Sequence, residues 1–270
     1  MKFLSKVHEI NVARISNRTL FGKFLRLPLK LIPSRCIVPI LQGKLRGKKW
    51  IVGSSNHGYW LGSYEYKKQI FFSDTIQRGM VVFDIGAHVG FYTLLSSQLV
   101  GSRGSVIAFE PLPENVVYLK KHIELNCISN AMVFEAAVSN CSGQEFFKKG
   151  NTRSTGHLVS EGGEIVVRTI SLDDFINEGK LPLPDCLKID VEGDEMNVFF
   201  GAQQLLSKHK PMIFLDVHGK ENYHSCYNFF NVLGYALFLI DGKNKTKELI
   251  ATVDEARFSG GARTRLTRIN

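Results

Sequence analysis

Residues 80–100 read MVVFDIGAHVGFYTLLSSQLV, and this stretch decides the fold. It begins with a short β-branched apolar run of the kind that forms a buried strand. An acid, Asp84, and two glycines, Gly86 and Gly90, come next, and from Phe91 onward apolar residues recur at helical spacing. The stretch therefore predicts a strand, a tight turn and a helix.

Strand and helix patterns alternate along the rest of the chain. We predict strands at 105–111, 131–139, 186–193, 212–219 and 235–241, and hairpin strands at 144–148 and 165–170. We predict helices at 114–126, 173–176, 204–207 and 223–232. This alternation predicts an α/β fold with a doubly wound, mostly parallel sheet that is covered on both faces.

Composition fits a globular protein with an uneven charge distribution. The chain has 270 residues, of which 44% are hydrophobic, and this is enough apolar material to close a substantial core. Residues 1–50 hold 12 Lys and Arg against one acid, whereas residues 51–240 hold 15 against 20 acids. The basic charge lies at the chain ends, so a polyanion-binding core is not implied. The five cysteines are far apart, which favours a reducing, cytoplasmic location.

The N-terminal segment is basic and amphipathic. Residues 20–41 set Lys and Arg among Leu, Phe and Ile, and three prolines interrupt them, so no run approaches the roughly 18–20 apolar residues of a membrane span. A secretory signal peptide is not expected either, because no uninterrupted apolar region is present. A transit peptide, a peripheral contact with anionic membrane and a helical cap remain as interpretations. We expect a basic cap over residues 1–45 and one domain over residues 46–270.

Polar residues end most of the predicted strands. Ligands of doubly wound sheets bind at the carboxyl ends of the strands, near the point where the strand order reverses. We therefore expect one edge of the sheet, called the rim below, to carry seven side chains: Asp84, Glu110, Glu135, Asp190, Glu192, Asp216 and His218.

The turn after the first strand suggests a cofactor. Gly86 would let the backbone approach a ligand, next to Ala87, and Gly90 would remove a side chain between helix and cofactor. Asp84 puts a negative charge where a pyrophosphate would sit, which favours a cationic ligand instead. Glu110 ends the next strand, where an acid accepts hydrogen bonds from both ribose hydroxyls. Together they predict S-adenosylmethionine, which carries a sulfonium, an ammonium and a ribose but no phosphate.

Six short motifs follow one another along residues 45–240. They are YWLGSYE (59–65), DIGAHVGFYT (84–93), VIAFEPLPEN (106–115), SLDDF (171–175), LKIDVEGDE (187–195) and LDVHG (215–219). The set resembles the FkbM-type family of S-adenosylmethionine-dependent methyltransferases. The resemblance implies a seven-strand, Rossmann-like methyltransferase sheet with a reversed last strand. It also implies methylation of hydroxyls on saccharides, glycolipids or natural products.

The resemblance also suggests residues around the cofactor. It implies that Tyr64 and Glu65 close over the methionine moiety, although packing of an N-terminal helix on the sheet would explain them as well. Glu135 and Ala136 end the third strand, where they would meet the adenine or simply form an exposed strand end. His88 replaces a glycine of the general methyltransferase fingerprint, and we expect its side chain to face solvent.

The rim residues closest to the C-terminus are predicted to activate the hydroxyl group that accepts the methyl group. A hydroxyl acceptor must lose its proton during attack, and His218 titrates near neutrality, so we predict His218 as the base. Asp190 or Asp216 would orient it or hold the acceptor. Asp190, Glu192 and Asp216 offer an alternative, a divalent ion that acidifies the acceptor, but we assign no metal ligand.

Other functions fit the sequence less well. An NAD-dependent oxidoreductase needs a G-x-G-x-x-G turn, whereas DIGAHVG has three residues between its glycines. An RNA methyltransferase, or a non-enzymatic protein that binds nucleic acid or membrane through its basic N-terminus, stays as the alternative. Because the middle of the chain is acidic, we expect no nucleic-acid partner.

Overall fold

The computed structural model describes residues 28–150, 156–159, 161–241, 246–255 and 266–269. The chain divides into two compact units, residues 1–66 and residues 67–270. Residues 1–27, which make up most of the predicted basic cap over residues 1–45, lie outside the described residues. Whether this segment is a helical cap, a transit peptide or a membrane contact stays a prediction. No helix in the described part of the chain is long and apolar enough to cross a membrane.

The described part of the first unit is a small two-stranded structure. Strands β1 (Ile37–Pro39) and β2 (Lys49–Ile51) pair antiparallel, and helix α1 (His57–Leu61) follows them. The ring of Trp50, which is fully buried, stacks on Tyr59 with 5.5 Å between ring centroids. This aromatic contact packs α1 against β2.

The second unit contains twelve of the described strands and six helices. The strands are β3 (Val81–Ile85), β4 (Ser105–Phe109), β5 (Ala131–Phe134), β6 (Ala137–Val138), β7 (Gly143–Lys149), β8 (Gly156–Val159), β9 (Ile165–Ile170), β10 (Cys186–Ile189), β11 (Met212–His218), β12 (Ala236–Asp241), β13 (Thr246–Thr252) and β14 (Thr267–Ile269). The helices are α2 (Tyr66–Thr75), α3 (Phe91–Val100), α4 (Pro113–Leu125), α5 (Leu172–Asn177), α6 (Glu195–Phe200) and α7 (Lys220–Val232).

The main sheet has the order β14-β12-β13-β11-β10-β3-β4-β5. Its central strands, from β11 through β10, β3 and β4 to β5, are parallel, and β13 runs antiparallel between β11 and β12. This confirms the predicted doubly wound sheet and its reversed strand. Among the described residues, β14 adds an eighth strand to the seven that were expected. The parallel strands direct the residues after Ile85, Phe109 and Ile189 to one edge, and this positions the site.

A second, four-stranded sheet has the order β6-β9-β7-β8. It contains both predicted hairpin strands, because 144–148 falls within β7 and 165–170 coincides with β9. The backbone N–H of Leu158 in β8 donates to Asp194 at 2.7 Å. Strand β8, at the edge of this second sheet, therefore contacts the chain that follows β10.

The chain from residue 186 to residue 209 differs from the predicted elements. Strand β10 ends at Ile189, and residues 190–193 form a turn in which Glu192 (φ 54°) and Gly193 (φ 117°) adopt left-handed backbone conformations. Helix α6 was not predicted, because its six residues are too few to show an apolar period. The helix expected at 204–207 is a π-helix, Leu205–His209.

Candidate functional site

The turn after β3 lies tightly against two neighbouring strands. The N–H groups of Gly86 and Ala87 both donate to the carbonyl of Phe109, at 3.0 and 2.9 Å. Gly86 has φ 75°, and a Cβ there would lie 1.9 Å from the carbonyl oxygen of Asp190. Glycine is required at this position because both the left-handed backbone and the close approach exclude a side chain.

Gly90 and His88 have roles that the sequence did not indicate. A Cβ on Gly90 (φ 94°) would lie 2.3 Å from Cδ1 of Leu119, so this glycine lets α3 begin against α4. His88 does not simply face solvent, because its Nε2 atom is buried. The His88 side chain is close enough to Asp190 to contribute to lowering the pKa of that carboxyl. The expectation of a solvent-facing His88 is therefore wrong.

Glu110 is held by three donors immediately after β4. Its Oε2 atom accepts from the backbone N–H of His88 at 2.7 Å. Its Oε1 atom accepts from the N–H of Leu112 and from Nδ2 of Asn115, both at 3.0 Å. The side chain is nearly buried, and burial raises its pKa although these three hydrogen bonds oppose the shift. Glu110 thus joins the turn after β3 to the end of β4.

A buried lysine, Lys188, connects two predicted cofactor residues. Its Nζ atom lies 3.7 Å from Oδ1 of Asp84 and 3.7 Å from Oδ2 of Asp190. Burial alone would lower the pKa of Lys188, but the Asp190 and Asp84 carboxylates outweigh burial and raise it. Burial raises the pKa of Asp84, whose Oδ2 also accepts from Thr93 Oγ1 at 2.6 Å. One internal cation therefore lies next to both acids.

Asp190 is surrounded by cations. Burial acts to raise its pKa, but Lys188, Lys68, His218 and His88 together hold the pKa below its usual range. Lys68 itself is fully buried in α2 and forms an ion pair with Asp216 of β11. These contacts keep Asp190 ionised, as a site for a cationic ligand requires.

Glu195 is the hydrogen-bond partner of the His218 ring. In the structure, Nδ1 of His218 lies 2.9 Å from Oε1 of Glu195, the first residue of α6. Its Nε2 atom lies 3.7 Å from Asp190 Oδ1 and 3.4 Å from Glu192 Oε2. Of the two acids predicted to orient His218, Asp190 lies near Nε2 of the ring, and Asp216 forms an ion pair with Lys68.

Three carboxylates change the titration of His218. Burial alone would lower the pKa of His218, but the hydrogen bond to Glu195 and the charges of Asp190 and Glu192 raise it to about 9. His218 therefore carries a proton at neutral pH. We expected its pKa to lie near neutrality, and the structure raises it instead. Burial also raises the pKa of Glu192, and His218 opposes that shift.

Four further residues were predicted to contact the cofactor. Glu135 is exposed just after β5, and Ala136 is buried in the main core. Tyr64 and Glu65 belong to the first unit, where the Tyr64 ring stacks on Tyr59 with 4.0 Å between centroids. Their cofactor contacts stay predictions.

Ligand atoms of Asp190, Glu192 and His218 lie within 4.8 Å of one another. The predicted alternative of a divalent ion also included Asp216, which forms an ion pair with Lys68. Our expectation that this site does not use a metal ion stays a prediction.

Sequence reasoning missed Lys68, Lys188 and Glu195. Lys188 carried a signal, because a lysine within the apolar run CLKI of a central strand must find a charged partner. Glu195 belongs to the quoted motif LKIDVEGDE, but without α6 its direction was unknown. Nothing in the sequence around Lys68 pointed to Asp216.

A family model described as the methyltransferase FkbM domain matches residues 84–257, which include every rim residue. The chain belongs to the FkbM methyltransferase family. The match confirms the resemblance carried by the six motifs. The order β5-β4-β3-β10-β11-β13-β12 agrees with the sheet that this resemblance implied.

Two known methyltransferases are similar in sequence to this FkbM family member. The hexuronic acid methyltransferase AglP of Haloferax volcanii is 27% identical over 139 residues, which cover 51% of this chain and 56% of that protein. The 2-O-methyltransferase NoeI of Sinorhizobium fredii is 26% identical over 162 residues, which cover 53% and 65%. The chain thus spans less than two thirds of the length of either relative. A solved structure, the methyltransferase FkbM from Methylobacillus flagellatus KT, has a TM-score of 0.47 at 14% identity and covers 73% of this chain and 55% of that one.

The chemistry of the site fits S-adenosylmethionine. Asp84 and Asp190 present carboxylates beside the turn, as a sulfonium or ammonium group requires. Oδ1 of Asp84 is buried, and Nζ of Lys188 lies 3.7 Å from it, beyond hydrogen-bond distance. Oε2 of Glu110 accepts from His88 and keeps a second acceptor position for a hydroxyl.

Proposed function

We propose that this FkbM family member transfers the methyl group of S-adenosylmethionine to a hydroxyl group of a saccharide, free or carried by a lipid or natural product. Family membership supports the methyl transfer. The relatives support the acceptor, because one is named for hexuronic acid and the other for 2-O-methyl transfer. The observation that carries the proposal is His218, whose Nε2 atom faces two carboxylates at the carboxyl end of β11.

The cofactor is held by the residues around the turn after β3. S-adenosylmethionine, when bound, supplies a methyl group that its sulfonium has already activated. Glu110 accepts hydrogen bonds from the ribose, and Asp84 and Asp190 favour the positive charges. Gly86 and Ala87 bring the backbone close. In the same proposal, the adenine is contacted by Glu135 and Ala136. The methionine moiety is contacted by Tyr64 and Glu65.

The remaining task of the protein is to orient the acceptor and remove its proton. The hydroxyl is held between Asp190 and His218, and Nε2 of His218 takes the proton as the oxygen attacks. Because the pKa of His218 is raised to about 9, this base becomes available only as the pH rises, and the reaction is expected to accelerate toward alkaline pH.

Mass spectrometry with isotopically labelled S-adenosylmethionine tests the proposal. The protein is incubated at pH 9 with saccharides that contain hexuronic acid, with neutral saccharides and with RNA, and the label is located in the product. Label on a saccharide oxygen is the expected result. Label on RNA would support the alternative function, and absence of S-adenosylmethionine binding would contradict methyl transfer altogether.

A further inference from the structure

The carboxylate of Glu195 is fully buried and receives hydrogen bonds at both oxygens. Oε1 accepts from the backbone N–H groups of Gly193 and His218, each at 3.2 Å. Oε2 accepts from Nδ2 of Asn222 in α7. These hydrogen bonds hold the carboxyl group between the start of α6, the end of β11 and α7.

This carboxylate determines which nitrogen of His218 carries hydrogen. Nδ1 of His218 lies 2.9 Å from the same Oε1 atom, so Nδ1 must be the donor in that contact. The neutral ring then has its lone pair on Nε2. That atom points to Asp190 and Glu192, at 3.7 and 3.4 Å, which is the side where an acceptor would bind.

We propose that Glu195 is a positioning residue that fixes His218 as the Nδ1–H tautomer, so that Nε2 is the atom that removes the acceptor proton. The role rests on the function proposed above, because it matters for catalysis only if His218 is the base. Glu195 does not touch the acceptor in this assignment and acts entirely through the imidazole.

The charged surroundings of His218 support the same role. Among the described residues, the carboxylates next to the ring are those of Asp190 and Glu192, from the turn after β10, and of Glu195, from α6. From α7, Cys226 lies close to Glu195, but it stays a neutral thiol because burial raises its pKa to about 12. Glu195 is the group that hydrogen-bonds the ring, and it helps to raise the pKa of His218.

The decisive measurement is nuclear magnetic resonance of histidine labelled with ¹⁵N in the free protein, in buffer that contains a chelator, between pH 6 and pH 10.5. We expect the neutral His218 ring of the wild type to be the Nδ1–H tautomer. Glu195→Gln should lower the pKa of His218 by about one unit or more, and Glu195→Ala should also release the ring into a mixture of tautomers.

Asp194→Asn is the matched control. Asp194 lies in the same turn, but its carboxylate contacts Leu158 and Asn197 rather than His218. This variant removes one negative charge and should leave the tautomer unchanged. Glu192→Gln should lower the pKa of His218 but preserve the Nδ1–H tautomer, because Glu192 faces the other nitrogen.

Kinetics connects the tautomer to the reaction. In Glu195→Gln the acidic limb of the kcat/KM profile should move to lower pH. The plateau of kcat/KM should also fall, but by less than the factor of about 10²–10⁴ that is expected when the base itself is removed. Wild-type tautomer and titration in a folded Glu195→Ala protein would overturn the inference. If the tautomer changes as expected but no hydroxyl acceptor is methylated, the proposed function fails and the control of the ring by Glu195 stands.

Discussion

The backbone N–H of His88 donates to Oε2 of Glu110 at 2.7 Å, which joins the turn after β3 to the chain after β4. Leu112 and Asn115 hold the other oxygen of the same carboxylate. Glu110 is therefore oriented before any ligand arrives. A preorganised acceptor avoids the cost of ordering a side chain when the ligand binds, so this residue should contribute strongly to cofactor affinity.

Glu110→Ala should weaken S-adenosylmethionine binding by about 10- to 100-fold, because charge-assisted hydrogen bonds to the ribose are lost. Calorimetry measures the Kd directly. Glu114→Ala is the control, because Glu114 also belongs to this region but forms an exposed pair with Lys149. Unchanged affinity in a folded Glu110→Ala protein would remove the ribose assignment.

Gly86→Ala should destabilise the fold through contact with Asp190. Gly79 has a similar left-handed backbone, with φ 90°, but a Cβ there would meet nothing within 4 Å. Gly79→Ala therefore measures the backbone strain alone, about 1–2 kcal/mol. We expect Gly86→Ala to cost about 1–3 kcal/mol more in the free energy of unfolding, which is the range for overpacking. Equal costs in urea unfolding would show that the turn yields without loss.

The sequence predicted the central sheet and most of its rim, because hydrophobic periodicity reports which residues are buried. Glu110 and His218 were identified from their places at strand ends. The partners of these residues were harder to predict. Lys188 reaches Asp84 only because β10 pairs with β3, and Glu195 reaches His218 from a helix too short to show a period. Contacts between distant segments depend on strand order and helix direction, which a local pattern does not report.

His122 should make the protein less stable in acid. The ring is fully buried, its Nδ1 lies 2.8 Å from the carbonyl of Val89, and burial lowers its pKa from 6.5 to about 4. Below pH 6.5 the unfolded chain binds a proton at this residue, whereas the folded protein does so only near pH 4. The free energy of unfolding should therefore fall by about 3 kcal/mol between these values.

Urea unfolding at pH 7.5, 6 and 4.5 measures this loss. His122→Gln should be less stable at pH 7.5, because packing is disturbed, but should lack this part of the acid dependence. His224, exposed on α7, provides the control, and His224→Gln should keep the wild-type slope. The same slope in His122→Gln would contradict the assignment.

Lys68 and Asp216 form a buried ion pair whose members depend on each other. Lys68→Met should destabilise the protein by about 3–5 kcal/mol, because it removes the cation that pairs with the buried Asp216 carboxylate. The double variant Lys68→Met/Asp216→Asn should recover most of that loss. Breaking the exposed pair with Lys149→Met should cost less than about 1 kcal/mol. Additive losses in the double variant would show that the two residues act independently.

His218→Ala separates proton removal from cofactor binding. We expect Kd for S-adenosylmethionine to stay close to the wild-type value and kcat to fall by about 10²–10⁴-fold, the usual contribution of a positioned base. The wild-type kcat/KM should rise with pH up to about 9, because the ring must lose its proton before it can act. This limb should be absent from the variant, while His224→Ala should retain it.

Three results would each point to a different mechanism. Near-normal turnover with an unchanged acidic limb would eliminate His218 as the base and leave Asp190 as the remaining candidate. Loss of activity with a chelator, restored by a divalent ion, would favour metal activation of the hydroxyl instead of a protein base. Insensitivity to both the substitution and the chelator would count against a hydroxyl acceptor, because an acceptor that is already deprotonated needs neither device.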